Sequence, residues 1–117
     1  MAKIERFEDI DAWKKARELT KIIYEVTSQG KLATDFSLRD QLRRAAVSIM
    51  ANIAEGFERE GNKEFRQFLA TAKGSVGEVK ALLYVALDAG LTSTKQFQRL
   101  ALWPTRPPDC SPVFCDI

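Results

Sequence analysis

The chain has 117 residues, which fits one domain with a single modest core. Its 45% hydrophobic and 29% charged residues are ordinary for a globular protein, and no apolar run approaches the roughly 18 residues of a membrane span. Histidine is absent, which removes the commonest general base and metal ligand, and a net charge of +2 does not by itself indicate a nucleic-acid partner.

The first predicted helix begins at Asp9 or Asp11 and ends at Ser28, because apolar residues recur there at helical spacing. The residues of this stripe are Trp13, Ala16, Leu19, Ile23 and Val26. Gly30 follows as a stop signal.

The second predicted helix runs from Ser37, as N-cap, to Gly56, as a C′ residue able to adopt positive φ. It has two apolar faces. One comprises Leu38, Leu42, Ala45, Ile49 and Ile53, and the other Val47, Met50, Ala54 and Phe57. A helix that is apolar on two sides is expected to be buried on two sides, so we expect a homo-oligomer.

The third predicted helix spans 63–89, after Asn62 as N-cap and before Gly90. Its core stripe comprises Phe65, Phe68, Leu69, Ala72, Val76, Val79, Leu83 and Ala86, and small residues lie opposite: Ala70, Gly74, Gly77 and Ala81. Each glycine costs about 1 kcal/mol against alanine within a helix. We therefore expect Gly74 and Gly77 to allow close approach of another helix, most easily one from a second protomer.

A fourth helix is predicted to begin near Thr94, capped by Thr92 or Ser93, and to end at Pro104. All four prolines and both cysteines lie beyond residue 103. The predicted fold is all-α: an antiparallel up-down four-helix bundle over residues 1–103 with a truncated fourth helix, followed by an irregular Pro-rich tail over 104–117.

Polar residues interrupt the apolar pattern of the second and third helices. Ser48, Asn52 and Glu55 share one helix face at i, i+4 and i+7, and Ser75 and Glu78 are expected to face them. One interpretation is a buried hydrogen-bond network that fixes helix register. The alternative, a carboxylate metal site, normally also uses histidine. We therefore predict a structural network, with no catalytic residue, metal or cofactor.

Basic residues form two candidate contact sets: Arg43 and Arg44 on the second helix, and Arg66, Lys73 and Lys80 on the third. Each set is either a solvated face or a nucleic-acid contact, and oligomerisation would multiply its field. Arg43 and Arg44 could instead pair with Asp40 or with another protomer. The aromatic residues Trp13, Tyr24 and Tyr84 are expected to pack within the protein rather than to stack on bases.

Three segments, FEDIDAWKKA, RDQLRRAAVSIMANIAEGFER and EFRQFLATAKGSVGEVKALL, resemble the four-helix-bundle proteins encoded in 23S ribosomal RNA intervening sequences. The conserved pieces of that family map onto Gln41, Leu42, Arg43, Arg44, Ala45, Ser48, Asn52, Ala54, Glu55, Gly56, Ser75 and Glu78. The resemblance implies a small bundle, and some members form pentameric rings. A related protein, the accessory subunit of diversity-generating retroelements, is a basic pentamer that binds nucleic acid. The C-terminal ALWPTRPPDCSPVFCDI departs from the family, whose fourth helix is longer.

Together these features predict a non-enzymatic homo-oligomer, a pentamer by the resemblance, that acts as an adaptor for RNA or DNA. The alternative is a structural or protein-interaction module without nucleic-acid contact. The first residues of the chain are acidic and lack the apolar region of a signal peptide, so we expect a cytoplasmic protein with no membrane partner. No phosphate-binding loop or other small-molecule motif is evident in the sequence.

Overall fold

A computed structural model describes residues 4–59 and 61–101. In these residues four α-helices follow one another: α1 (Asp11–Val26), α2 (Phe36–Glu58), α3 (Asn62–Asp88) and α4 (Thr94–Ala101). Short 3-10 turns precede α1 (Phe7–Asp9) and join α1 to α2 (Gly30–Ala33). Consecutive helices pack against each other, α2 most extensively against α3 and then against α1. The all-α bundle predicted from the sequence is therefore confirmed.

Two predicted ends of α2 are wrong. Asp35, not Ser37, caps the helix, because its carboxylate accepts a 3.0 Å hydrogen bond from the backbone N–H of Leu38. The helix also continues through Gly56 to Glu58. The chain then turns at Gly61, which has φ +110°. Only a residue that tolerates positive φ fits such a turn easily, so Gly61 has the role that the sequence suggested for Gly56.

The ends of the other helices lie closer to their predicted positions. Gly30 and Gly90 adopt positive φ just after α1 and α3. The Ser93 hydroxyl accepts a 3.1 Å hydrogen bond from the backbone N–H of Gln96, which confirms it as the cap of α4. At α3, Asn62 is the first helical residue, and the N-cap position belongs to Gly61.

The core lies along the axis of the bundle and takes side chains from all four helices. Its largest fully buried apolar residues are Leu19, Ile23, Leu32, Leu42, Ile49, Ile53, Val79, Leu83 and Leu100. Trp13, predicted in the core stripe of α1, is only half-buried and packs edge-to-face on Phe7 with ring centroids 5.2 Å apart. None of the described helices combines the length and apolar character needed to cross a bilayer.

The short helix α4 closes one end of the bundle. Leu100 inserts into the core, and the Phe97 ring packs edge-to-face against Tyr84 of α3, with centroids 4.8 Å apart. The predicted stop at Pro104 and the predicted Pro-rich tail over 104–117 lie outside the described residues.

Candidate functional site

Ser48, Asn52 and Ser75 form a polar cluster across the contact between α2 and α3. The amide Nδ2 of Asn52 donates to the backbone oxygen of Ser48 at 2.8 Å and to its hydroxyl at 3.0 Å. The Ser75 hydroxyl, on α3, donates to the Ser48 hydroxyl at 3.0 Å. Ser75 is 8% exposed, whereas Ser48 and Asn52 are half-buried. The cluster links the two helices at a fixed register.

The two carboxylates predicted beside this cluster lie elsewhere. Glu55 is exposed and accepts a 2.9 Å hydrogen bond from Arg59, one turn further along the chain. Glu78 is exposed on α3. Across residues 4–59 and 61–101, no three His, Cys, Asp or Glu side chains come together as a group that could hold a metal ion. The structure therefore brings together three of the five predicted polar residues, and these three are uncharged.

The two arginines of α2 have different surroundings. Arg43 donates from Nε to the Thr27 hydroxyl at 2.8 Å and from Nη2 to the Ser28 hydroxyl at 3.1 Å. Its guanidinium also lies 4.6 Å from the ring centroid of Tyr24. These partners are at the C-terminal end of α1, where helix carbonyls favour a positive charge. Through these contacts Arg43 links α2 to α1.

Neither predicted link from these arginines to Asp40 is formed in the described structure. Asp40 pairs instead with the adjacent Arg39, whose Nε lies 2.9 Å from the carboxylate. Arg44 is exposed on α2. Of the two arginines, Arg44 is thus the one whose side chain faces solvent in a single chain.

Arg66, Lys73 and Lys80 of α3 follow one another at seven-residue intervals, and we call them the α3 basic line. Seven residues are nearly two full turns, so the three lie on one face and about 10 Å apart along the axis. Arg66 and Lys73 are exposed and Lys80 is half-buried. Between Arg66 and Lys80, the residues that share this face, Leu69 and Gly77, carry no charge. Beyond Lys80 the same side of α3 continues with Tyr84 and, one turn further, the exposed Asp88. By the same periodicity, Glu64 and Glu78 lie on the other side of the helix.

The small-residue stripe of α3 is open in the single chain. Ala70, Gly74, Gly77 and Ala81 are exposed, and a Cβ added at Gly74 or Gly77 would meet no atom of the described residues within 4 Å. The tight contact predicted for these two glycines is therefore not made among residues 4–59 and 61–101 of one chain. The close approach occurs instead at Gly56 of α2, where an added Cβ would lie 2.6 Å from the Cβ of Phe68.

Aromatic residues paired with arginine are a feature that the sequence reasoning missed. The guanidinium of Arg39 lies 4.8 Å from the Phe36 ring, and that of Arg17 lies 5.8 Å from the Trp13 ring. In each pair the aromatic residue and the arginine are three or four residues apart within one helix. This spacing is visible in the sequence and could have indicated the contact. The predicted packing of Tyr24 and Tyr84 within the protein is only partly correct, because both remain exposed.

The sequence model of one protein family, the 23S rRNA-intervening sequence protein family, matches residues 8–102 of the chain. This range contains all four described helices, the polar cluster and the α3 basic line. No curated protein matches the sequence significantly. Because the match covers most of the chain, the protein belongs to the 23S rRNA-intervening sequence protein family.

Proposed function

We propose that the protein is a non-enzymatic adaptor that binds the phosphate backbone of RNA or DNA through the α3 basic line, and that it does so as a homo-oligomer. The single observation that carries this proposal is the arrangement of Arg66, Lys73 and Lys80, three cations on one helix face with no carboxylate among them. Lysine and arginine neutralise phosphates and release the counterions condensed on nucleic acid.

The α3 basic line of one chain contributes only three positive charges. Its three cations span 15 residues, or about 21 Å of helix. If all three contact phosphate, the logarithm of the binding constant should fall with the logarithm of the salt concentration with a slope of about −2.7 on duplex DNA. Several copies side by side would add their lines into one larger field, which is why the proposal includes an oligomer.

The second candidate function is a protein-interaction module without nucleic-acid contact. The observation that favours it is the open stripe of Ala70, Gly74, Gly77 and Ala81, because small side chains allow another helix to approach closely. The stripe lies beside the basic line on α3. Self-association through the stripe and phosphate binding through the line are thus compatible, and the resemblance to ring-forming proteins suggests a pentamer as the first assembly to test.

The test begins with the oligomeric state of the full-length protein, measured by light scattering. RNA and DNA are then titrated at several salt concentrations. We expect Lys73→Glu to weaken both nucleic acids and to reduce the salt slope by about 1, since phosphate contacts carry no base information. Lys31→Glu is the matched control, because Lys31 is also an exposed lysine but lies in the turn between α1 and α2.

The two candidate functions differ in outcome. An adaptor loses affinity with Lys73→Glu and retains it with Lys31→Glu. If the wild-type oligomer binds neither RNA nor DNA at low salt, the adaptor function is wrong and the protein-interaction module remains.

A further inference from the structure

Two exposed aromatic rings lie beside consecutive arginines of α2, at the end of the bundle where α1 finishes and α2 begins. Phe36 is 63% exposed and Tyr24 is 44% exposed. Arg39 lies over the first ring at 4.8 Å and Arg43 over the second at 4.6 Å. These arginines are four residues apart and therefore share one face of α2, one turn from each other. The two rings therefore lie beside successive turns of the same face of α2.

Both guanidinium groups are held in place by the fold. Arg43 is bonded to the hydroxyls of Thr27 and Ser28, as described above. Arg39 donates from Nη1 to the backbone oxygen of Ala33 at 3.3 Å and from Nε to Asp40. A planar ring backed by a fixed cation loses little conformational freedom when a ligand stacks on it.

Positive charge continues from these rings along α1. Arg17, Lys21 and Tyr24 recur at helical spacing on one face, and each is exposed. A shallow groove of about 500 Å³ follows this helix, and its charged lining consists of Lys14, Lys15, Arg17, Lys21, Glu8 and Glu18. The four cations outnumber the two carboxylates. Trp13, beneath Arg17, also lines the groove, about 16 Å along the helix axis from Tyr24.

We propose that Phe36, Tyr24 and the basic groove of α1, together the aromatic–arginine face, bind single-stranded nucleic acid by base stacking. The proposal rests on the proposed function, since it adds a second contact surface to the same adaptor. Aromatic rings alternating with cations suit a single strand, whose bases are free to stack while its phosphates follow the positive charge. In a duplex the base faces are already stacked on one another, so these rings offer it little.

The test compares Phe36→Ala with Val85→Ala in the full-length protein. Val85 is a matched control because it is also an exposed apolar residue, at 52%, but lies on α3. Binding of fluorescent oligo-dT and of a DNA duplex of the same length is measured by anisotropy over a range of salt concentrations. Circular dichroism verifies that each variant is folded.

We expect Phe36→Ala to weaken oligo-dT binding about tenfold, as loss of one stacked base does. Duplex binding and the salt slope should be unchanged, because the ring carries no charge. Val85→Ala should change neither. If the wild type binds oligo-dT and Phe36→Ala binds it equally well, or weakens duplex binding to the same extent, stacking is overturned while the adaptor function stands.

Two further outcomes overturn the proposal in different ways. If Phe36→Ala changes the oligomeric state in light scattering and leaves oligo-dT affinity intact, the face is an interface between protein chains. If the wild type binds no nucleic acid at any salt concentration, the adaptor function itself fails, and stacking fails with it.

Discussion

The three glycines inside the helices of the α2–α3 hairpin lie in opposite environments: one is in the contact between the helices, and two are on the outer face of α3. Gly56 of α2 is buried under α3, and an added Cβ would lie 2.6 Å from the Cβ of Phe68 and 3.0 Å from Cδ1 of Phe65. Gly74 and Gly77 of α3 face outward, and an added Cβ there would meet nothing within 4 Å in the part of the chain that the structure describes. The same residue type thus allows close helix contact at one position and leaves an open surface at the others.

The difference shows what a helical glycine can and cannot indicate. All three glycines give up helix propensity, about 1 kcal/mol each relative to alanine. At Gly56 the packing of two phenylalanines offsets that cost inside the chain. At Gly74 and Gly77 none of the residues that the structure describes offsets it, so contact with another molecule is the physical reason to test.

The largest expected effect is that of Gly56→Ala. The new methyl group collides with Phe68 at its Cβ, an atom fixed to the backbone of α3, so the two helices must separate. Overpacking of this kind costs typically 1–3 kcal/mol, against a gain in helix propensity of about 1 kcal/mol. We expect a net loss of up to about 2 kcal/mol in the free energy of unfolding, measured by urea denaturation. Gly74→Ala is the control, and equal stability of the two variants would remove the contrast between the two environments.

A smaller effect is expected where hydrogen bonds, rather than close packing, join the same two helices. Asn52→Leu removes the two bonds that the side chain donates to Ser48, and leaves the Ser75–Ser48 bond across the contact. Because Asn52 is half-buried, we expect a loss of about 1 kcal/mol in denaturation. Glu55→Leu, an exposed change on the same helix, serves as the control. A stability equal to that of the wild type would show that the cluster contributes nothing to the hairpin.

The smallest expected effect is a gain in stability. Gly77→Ala should raise the free energy of unfolding of a single chain by up to about 1 kcal/mol, because the methyl group enters open space and helix propensity improves. The measurement is thermal denaturation, combined with light scattering over a range of protein concentrations. A lower stability that depends on concentration would instead place a second copy against this glycine. Gly77→Leu should then dissociate the oligomer.

The fold could be predicted from the sequence because helical periodicity and glycine stops mark each element. Gly30 and Gly90 adopt the positive φ that their positions imply. Gly56 resembles a stop signal in the sequence, because the sequence alone does not distinguish a glycine that ends a helix from one that another helix covers. The Gly61–Asn62 pair, five residues later, is the stronger turn signal, and the chain turns there.

The candidate site could be predicted only in part. Spacing placed Ser48 and Asn52 on one face of α2 and could indicate Ser75 as a partner, because these positions follow from helix geometry. It did not exclude Glu55, which shares that face but reaches outward to Arg59. Nor could spacing foresee that Arg43 bonds to Thr27 and Ser28, since that contact depends on how α1 and α2 meet.

The short turn between α2 and α3 also affects how fast the chain can fold. The most extensive helix contact in the described structure joins two segments separated by only a few residues, and α1 packs mainly on the helix that follows it. Closing so short a loop costs little chain entropy. Helical proteins dominated by such local contacts fold in about microseconds to milliseconds. The α2–α3 hairpin, with its buried glycine, is therefore suited to form early and to give α1 and α4 a surface on which to assemble.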